Sequence, residues 1–452
     1  MHTLEQLQSG ALQGATRLDL SCDLRAVPPE VFSLADTLEV LNLSGNQLSH
    51  LPRDLPRLHK LKVIFCSDNL FTELPEVLGQ CTALEIIGFK ANRIAKVSGA
   101  ALPPALRWLI LTDNAIAHLP TELGQRPALQ KLMLAGNRLS SLPDTLANAQ
   151  RLELVRLSAN ALNHVPAWLP TLPRLGWLAL AGNPLGWHRP EPSALAAVPW
   201  AQLKVQGLLG QGASGHIYRV QRTGEVRDSA GDGAQGSMRD SAPEWALKVF
   251  KGAMTSDGLP EHELAACLAA GQHAALCTPN AVVPDHPQGA QAFLLPLIPP
   301  THINLAGPPS LESCTRDVYA ADLRIPAATV LHIARSIAAA LAHLHQRGVL
   351  HADVYAHNIL WNPATGDALL SDFGAATLLP LDHPDVCRAL MAVEVRAFGC
   401  LLEELLAHAE PVQRDVPALG TAMQKLAALM RACLQEVPAA RPSMHDVVLQ
   451  SL

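Results

Sequence analysis

The chain has 452 residues, of which 49% are hydrophobic, so it can bury two or three domain cores. Its formal net charge of -6, with no long basic run, argues against a nucleic-acid partner. Nine scattered cysteines without a C-x-x-C pair indicate reduced thiols, and we expect a cytoplasmic location. The start of the sequence lacks a signal-peptide pattern, and no uninterrupted apolar stretch is long enough for a bilayer. We therefore expect no membrane anchor.

Asparagines recur at steps of 22 or 23 residues through the first part of the chain. They stand at Asn46, Asn69, Asn92, Asn114, Asn137, Asn160 and Asn183. Each occupies the frame L-x-x-L-x-L-x-x-N-x-L, as in Leu129, Leu132, Leu134, Asn137 and Leu139. A regular period of this length predicts stacked structural units that share one continuous core.

This pattern resembles the leucine-rich-repeat family over residues 1–185, with about seven full repeats after a degenerate N-terminal cap. The resemblance implies an α/β solenoid, the leucine-rich-repeat horseshoe. We expect each asparagine amide to satisfy backbone groups where the chain turns off its strand.

The two positions that flank the central leucine of each strand should face the concave side of the solenoid. This row is unusually apolar, and a patch of that kind is typical of a protein interface. We predict that it binds a protein substrate or regulator, with the candidate anchors Phe65, Trp108, Ile110, Met133 and Trp177. The alternative is that the second domain of the same chain covers it.

The period changes after a linker at residues 186–200, and residues 201–452 carry a different set of motifs. A glycine-rich loop with Gly210, Gly212 and Gly215 is followed by a strand pattern that includes Ile217, which favours a hairpin over a dinucleotide-binding turn. A later apolar strand contains Ala246 and Lys248. A helical stretch then offers Glu263, with Glu261 as runner-up, as the ion-pair partner of Lys248.

Two further motifs complete the set: His351-Ala352-Asp353 with Asn358, and Asp372-Phe373-Gly374. Together these motifs resemble the protein kinase family, which implies an α+β two-lobed fold and the use of ATP and Mg²⁺. The resemblance makes Asp353 the catalytic base, Asn358 and Asp372 the metal ligands, and the glycine loop, Ile217, Ala246, Lys248 and Glu263 the ATP-binding residues. It implies transfer to serine or threonine in preference to tyrosine. His357 is a candidate for neutralising the transferred phosphoryl group.

The chain also departs from the family pattern. Ala352 replaces the arginine before the catalytic aspartate, and Tyr355 replaces a lysine. Only 19 residues separate Gly374 from Glu394, which stands at an expected helix start, and Arg441 has no A-P-E carboxylate as partner. Two alternatives therefore stay open: a small-molecule kinase similar to aminoglycoside and choline kinases, and a pseudokinase scaffold.

Overall fold

The computed structural model of the chain describes residues 2–186, 195–211, 215–223, 244–251, 255, 257–412 and 416–449. Gly212, which the sequence places in the glycine loop, lies outside these residues.

The first half of the chain is a solenoid built on one parallel sheet. A short helix, α1 (Leu4–Gln8), precedes eight three-residue strands in sequential order. They are β1 (Arg17–Asp19), β2 (Val40–Asn42), β3 (Val63–Phe65), β4 (Ile86–Gly88), β5 (Trp108–Ile110), β6 (Lys131–Met133), β7 (Leu154–Arg156) and β8 (Trp177–Ala179). The central residue of each strand pairs with the central residue of the next, as Leu41 does with Ile64, and both are fully buried. Short 3₁₀ helices lie between the strands.

The recurrent asparagines bridge consecutive repeats. The Asn46 side-chain amide donates to the carbonyls of Leu20 (2.9 Å) and Leu43 (2.8 Å). Its oxygen accepts from the backbone N–H groups of Cys22 and Leu24, both at 3.0 Å. The expected role of these amides is therefore confirmed: they satisfy backbone groups that the turn would leave unpaired.

A six-stranded sheet and one helix form a small lobe. The strands β9 (Ala196–Ala197), β10 (Leu203–Gln211), β11 (Gly215–Arg222), β12 (Glu244–Phe250), β13 (Ala281–Val283) and β14 (Ala292–Pro296) are arranged in the order β10-β11-β12-β14-β13-β9. Helix α2 (Pro260–Ala270) follows β12 and begins with proline, which suits the first turn of a helix.

A mainly helical large lobe completes the chain. Its elements are β15 (Ile303–Asn304), α3 (Ala327–Gln346), β16 (Val349–Leu350), β17 (Ile359–Trp361), β18 (Ala368–Leu370), β19 (Thr377–Leu378), α4 (Pro384–Ala407), α5 (Pro417–Cys433) and α6 (Met444–Leu449). By length and composition alone α3 could cross a bilayer. Its buried residues pack with α4, α5 and α6, so it is the core helix of this lobe.

The large lobe and the last repeats share their hydrophobic cores. Leu390 and Val393 of α4 belong to the cluster formed by the repeat leucines. In return, Leu154 and Trp177 of β7 and β8 belong to the core of the large lobe. Because each half contributes side chains to the other's interior, the C-terminal repeats and the large lobe form one packed body.

Helix α4 begins earlier than the sequence predicted. Glu394, expected at a helix start, lies inside a 24-residue helix that begins at Pro384. Proline fits the first turn, and no glycine or proline interrupts the ten residues that follow it. The segment between Gly374 and this helix is therefore shorter than the motif spacing suggested.

Candidate active site

A cleft of about 440 Å³ lies between the small and large lobes. Its walls include Ile217, Ala246, Phe293 and Leu295 from the small lobe and Leu360 from the large lobe. Lys248, Glu263, Asn358 and Asp372 line the same cleft. The structure thus brings the predicted nucleotide-binding and metal-binding residues together around one space with an apolar wall and a polar end.

Lys248 and Glu263 form a buried ion pair inside this cleft. β12 carries the lysine and α2 carries the glutamate, so the pair fixes the helix against the sheet. Burial raises the pKa of Glu263 to about 6, and burial alone would lower the pKa of Lys248. The charges of Glu263 and Asp372 outweigh that effect and raise the lysine's pKa. Glu261, the runner-up, is exposed on another face of α2.

The two strands that flank the glycine-rich loop form an antiparallel pair, as the sequence predicted, and Leu209 and Ile217 of these strands line the cleft. β10 and β11 are antiparallel, with Gly210 opposite Ile217. An added Cβ at Gly215 would lie 2.5 Å from the carbonyl oxygen of Val249, so only glycine permits this approach to β12. The hairpin is thus held close to the strand that carries Lys248.

The Asp353 side chain is held by the loop between β16 and β17. The Asn358 side-chain amide donates to the Asp353 Oδ2 (2.8 Å) and to the Asp353 carbonyl (3.0 Å). His351 packs its ring against Phe373, with centroids 5.0 Å apart, and contacts the Ser371 carbonyl at 3.0 Å. These contacts tie the loop of Asp353 to the segment of Asp372.

Asp372 has a left-handed backbone, with φ of 61°, and its carboxylate is exposed in the cleft. No group of three or more His, Cys, Asp or Glu side chains within the described ranges could hold a metal ion by itself. Mg²⁺ in phosphoryl-transfer sites uses one or two protein oxygens together with substrate phosphates. Asp372 and the amide oxygen of Asn358 fit that requirement.

Glu394 contacts the loop that precedes Asp353, a role that the sequence did not predict. Its Oε1 accepts from the backbone N–H of Ala352 (2.6 Å), and its Oε2 contacts His345 Nε2 at 2.8 Å. Ala352 itself has φ of 62°, a conformation that costs energy for a residue with a side chain. The glutamate on α4 therefore anchors a strained turn immediately before Asp353.

Arg441, left without a carboxylate partner by the sequence, donates to three carbonyl groups instead. The acceptors are Gln435 (2.9 Å), Ala392 (2.8 Å) and Pro173 of the last repeat (2.8 Å). Burial, together with the positive charge of Arg396, lowers the pKa of its guanidinium to about 10. One of its partners thus comes from the repeat domain.

Arg156 brings the repeat domain into the candidate active site. It lies on β7 with a side chain only 3% exposed, and its guanidinium forms an ion pair with Asp353. Its Nη1 donates to the Ala352 carbonyl (2.9 Å), and its Nε lies 2.8 Å from the Asp257 Oδ1. Burial alone would raise the pKa of Asp353, but the charge of Arg156 outweighs it and lowers that pKa.

The concave row divides into two parts. Trp177 is buried, stacks on Tyr355 with ring centroids 4.4 Å apart, and donates from Nε1 to the Val354 carbonyl (3.1 Å). Met133 packs against the core of the large lobe. These two predicted anchors therefore contact the second domain of the same chain, and an external partner cannot reach Trp177 in this arrangement.

The remaining anchors, Phe65, Trp108 and Ile110, are half-buried. The ammonium group of Lys131 lies 4.0 Å from the Trp108 ring centroid. Next to it, the Arg107 guanidinium donates to the Leu311 and Glu312 carbonyls of the large lobe. Within the described part of the chain, the N-terminal part of the row thus stays more exposed than Trp177.

His357 lines the cleft and is bound to Asp317. Its Nδ1 lies 2.7 Å from the Asp317 Oδ1, and its backbone N–H donates to the Oδ2 (2.9 Å). Burial alone would lower the pKa of His357, but the hydrogen bond and charge of Asp317 raise it. The predicted phosphate-neutralising residue therefore has a carboxylate partner of its own.

Sequence reasoning did not find Arg156, although one signal pointed to it. The concave row that contains it reads Asn42, Phe65, Gly88, Ile110, Met133, Arg156 and Ala179. Arg156 is the one charged residue in this list, and a charged side chain that another domain buries needs a counter-ion. The counter-ion, Asp353, lies 197 residues further along the chain, beyond the reach of any local pattern.

Comparison with known families agrees with this architecture. The family described as protein kinase domain matches residues 310–395, and families described as leucine rich repeat match residues 37–58, 104–162 and 127–185.

Three relatives show partial similarity. The probable inactive serine/threonine-protein kinase roco10 of Dictyostelium discoideum is 33% identical over 120 residues, covering 24% of this chain and 4% of the relative. The serine/threonine-protein kinase PrkC of Bacillus subtilis is 28% identical over 139 residues, covering 27% of this chain and 21% of the relative. A leaf rust 10 disease-resistance locus receptor-like protein kinase-like protein (1.3) of Arabidopsis thaliana is 26% identical over 169 residues, covering 26% and 24%. The chain thus spans at most 24% of the length of these relatives.

Proposed function

We propose that this chain, which combines leucine-rich repeats with a protein kinase domain, binds ATP with Mg²⁺ and transfers the γ-phosphate to a protein hydroxyl group. We further propose that the hydroxyl belongs to serine or threonine and that the protein acts in the cytoplasm. The observation that carries the proposal is the buried Lys248–Glu263 ion pair, which lines one cleft with Asn358 and Asp372. A lysine clamp, metal ligands and a positioned carboxylate are the groups that phosphoryl transfer needs.

Each residue has a distinct role in this proposal. Lys248 binds the phosphates of ATP, while Asn358 and Asp372 hold Mg²⁺, which neutralises phosphate charge when bound. Asp353 orients the acceptor hydroxyl. The hydroxyl oxygen forms a bond to the γ-phosphorus, the bond between that phosphorus and the bridging oxygen of ADP breaks, and Asp353 accepts the hydroxyl proton.

A second candidate is a scaffold that binds nucleotide without transferring phosphate. The ion pair between Arg156 and Asp353 favours it, because that pair occupies the proposed base. One relative named above is also described as a probable inactive kinase. The retained Lys248, Asn358 and Asp372 are the features that favour an active enzyme.

The test combines ATP binding with transfer of labelled phosphate to a generic protein substrate in the presence of Mg²⁺. Asp353→Asn should keep nearly normal ATP affinity and lose transfer by several orders of magnitude, since positioning and electrostatics supply most of the rate. Lys248→Ala should instead weaken ATP binding. Both are measured with Arg156 present and in the Arg156→Ala background, because Arg156 is paired with Asp353. Normal ATP binding with no Asp353-dependent transfer in either background would favour the scaffold.

A further inference from the structure

The ion pair of Arg156 lies on the carboxylate of Asp353, the group that an acceptor hydroxyl would contact. Arg156 contacts the Oδ1 of Asp353, and the Asn358 amide donates to the Oδ2. A catalytic base has to lie within hydrogen-bond reach of the proton that it accepts. With Oδ1 bound to the guanidinium and Oδ2 to the amide, an acceptor hydroxyl has to compete with Arg156 for this carboxylate.

The guanidinium lies in a site that is built for it. Asp353 contacts one edge of the group, Asp257 contacts the Nε, and the Ala352 carbonyl accepts from the Nη1. A planar guanidinium is suited to such a set of oxygens, whereas an ammonium group offers a single point charge.

The surrounding contacts hold this site in place. Gly258, next to Asp257, has φ of 146°, and an added Cβ there would lie 3.2 Å from the Ser158 Cβ of the repeat. On the other side, Trp177 stacks on Tyr355 two residues after Asp353. Because both neighbours of the ion pair pack against the repeats, separation of the two halves would break more contacts than a movement of the Arg156 side chain alone. Withdrawal of its own side chain is the smallest change that frees Asp353.

We infer that Arg156 blocks the acceptor position of the resting protein, and that Asp353, Asp257 and the Ala352 carbonyl form a guanidinium-binding site. The blocking role rests on the proposed function, whereas the guanidinium site depends on the geometry alone. In this arrangement the nucleotide-binding cleft is formed, while Arg156 of the repeat domain blocks the access of an acceptor hydroxyl to Asp353.

The experiment measures ATP hydrolysis with Mg²⁺, because water is the smallest acceptor and its use requires no protein substrate to dock. Arg156→Ala and Arg156→Met should raise the rate about tenfold or more, within the range of coupling between two sites in one protein. Arg138→Ala, which removes an exposed arginine of the preceding repeat, should leave the rate unchanged. Ethylguanidinium should inhibit the Arg156→Ala protein and leave wild type unaffected, and ethylammonium should inhibit neither.

A second readout tests the site without ATP. Ethylguanidinium should raise the melting temperature of Arg156→Ala more than ethylammonium does, and should have no such effect on wild type. Lower hydrolysis in both Arg156 variants, with a folded protein and normal ATP affinity, would overturn the blocking role and leave the proposed function standing. Absence of ATP binding in every protein would overturn the proposed function and the blocking role together. Absence of selective stabilisation by ethylguanidinium would overturn the guanidinium site.

Discussion

The two ends of the concave face share one repeat motif and have different surroundings. Near the N-terminus, Phe65 and Ile110 are half-buried, and Asn42 on β2 hydrogen-bonds to Asp19 of the neighbouring strand. Near the C-terminus, Arg156 and Trp177 are buried against the catalytic loop. The repeat motif therefore determines how strands stack, while the variable positions determine whether the face stays open or becomes part of another domain.

The largest effect is expected when the C-terminal repeats are removed from the kinase-like lobes by truncation of the chain. Residues 201–452 alone would lose Trp177 and the repeat leucines that pack with Leu390 and Val393 of α4. We expect this fragment to lack a cooperative unfolding transition, because its large lobe would expose a core surface. Residues 105–452 keep the C-terminal repeats and should retain a cooperative transition at a lower temperature. Calorimetry of the two fragments measures the difference, and an independently folded 201–452 fragment would contradict the shared core.

Two aromatic residues of the same row test the comparison at single positions. Trp177→Ala should reduce the free energy of unfolding by about 3–5 kcal/mol, since it removes a buried ring. Phe65→Ala should cost about 1 kcal/mol or less, because the ring is only half-buried. Denaturant titration of both variants provides the measurement. Equal losses would mean that the two ends of the face are packed alike.

The sequence predicted the local features of both halves and missed the contacts between them. The spacing of the asparagines predicted the repeats, and the order of motifs placed Lys248, Asn358 and Asp372 in one kinase-like lobe pair. The partners of Arg156 and Arg441 were not predicted, because each lies far away in sequence: 197 residues for Asp353 and 268 for Pro173. Periodicity reports which face a side chain occupies, and does not report which distant surface covers that face.

The histidine beside the catalytic loop gives a smaller, pH-dependent effect. His357 has a raised pKa, so its protonated form is favoured by folding and its contribution to stability is full below the ordinary value of 6.5. That contribution is lost as the pH rises through the higher folded pKa. Melting temperature and activity should therefore both fall as the pH increases past 6.5, and His357→Arg should flatten both profiles. His164→Gln, at an exposed histidine, serves as control. An unchanged profile in His357→Arg would assign the pH dependence to another group.

The smallest effect is expected at Thr377, the one hydroxyl between Gly374 and α4. It is buried, and its Oγ1 accepts from the Leu180 N–H of the last repeat (3.0 Å). A kinase cannot reach this hydroxyl without unpacking the contact, so we expect no phosphate on Thr377. Thr377→Ala should keep wild-type transfer within about twofold, because Thr377 is not among the residues that line the cleft. Mass spectrometry and transfer assays check both points. A phosphate on Thr377 together with loss of activity in Thr377→Ala would overturn the prediction.

The central claim is that the C-terminal repeats and the catalytic loop are one packed body, and native-state hydrogen exchange tests it most directly. The amides of β6 to β8, of residues 349–361 and of α4 should open with one common free energy as denaturant is added, because they share a core. Trp177→Ala should lower that free energy in all three segments together, while the amides of β1 to β3 change less. Separate opening free energies for the repeats and the catalytic loop, with Trp177→Ala affecting only one of them, would contradict the claim.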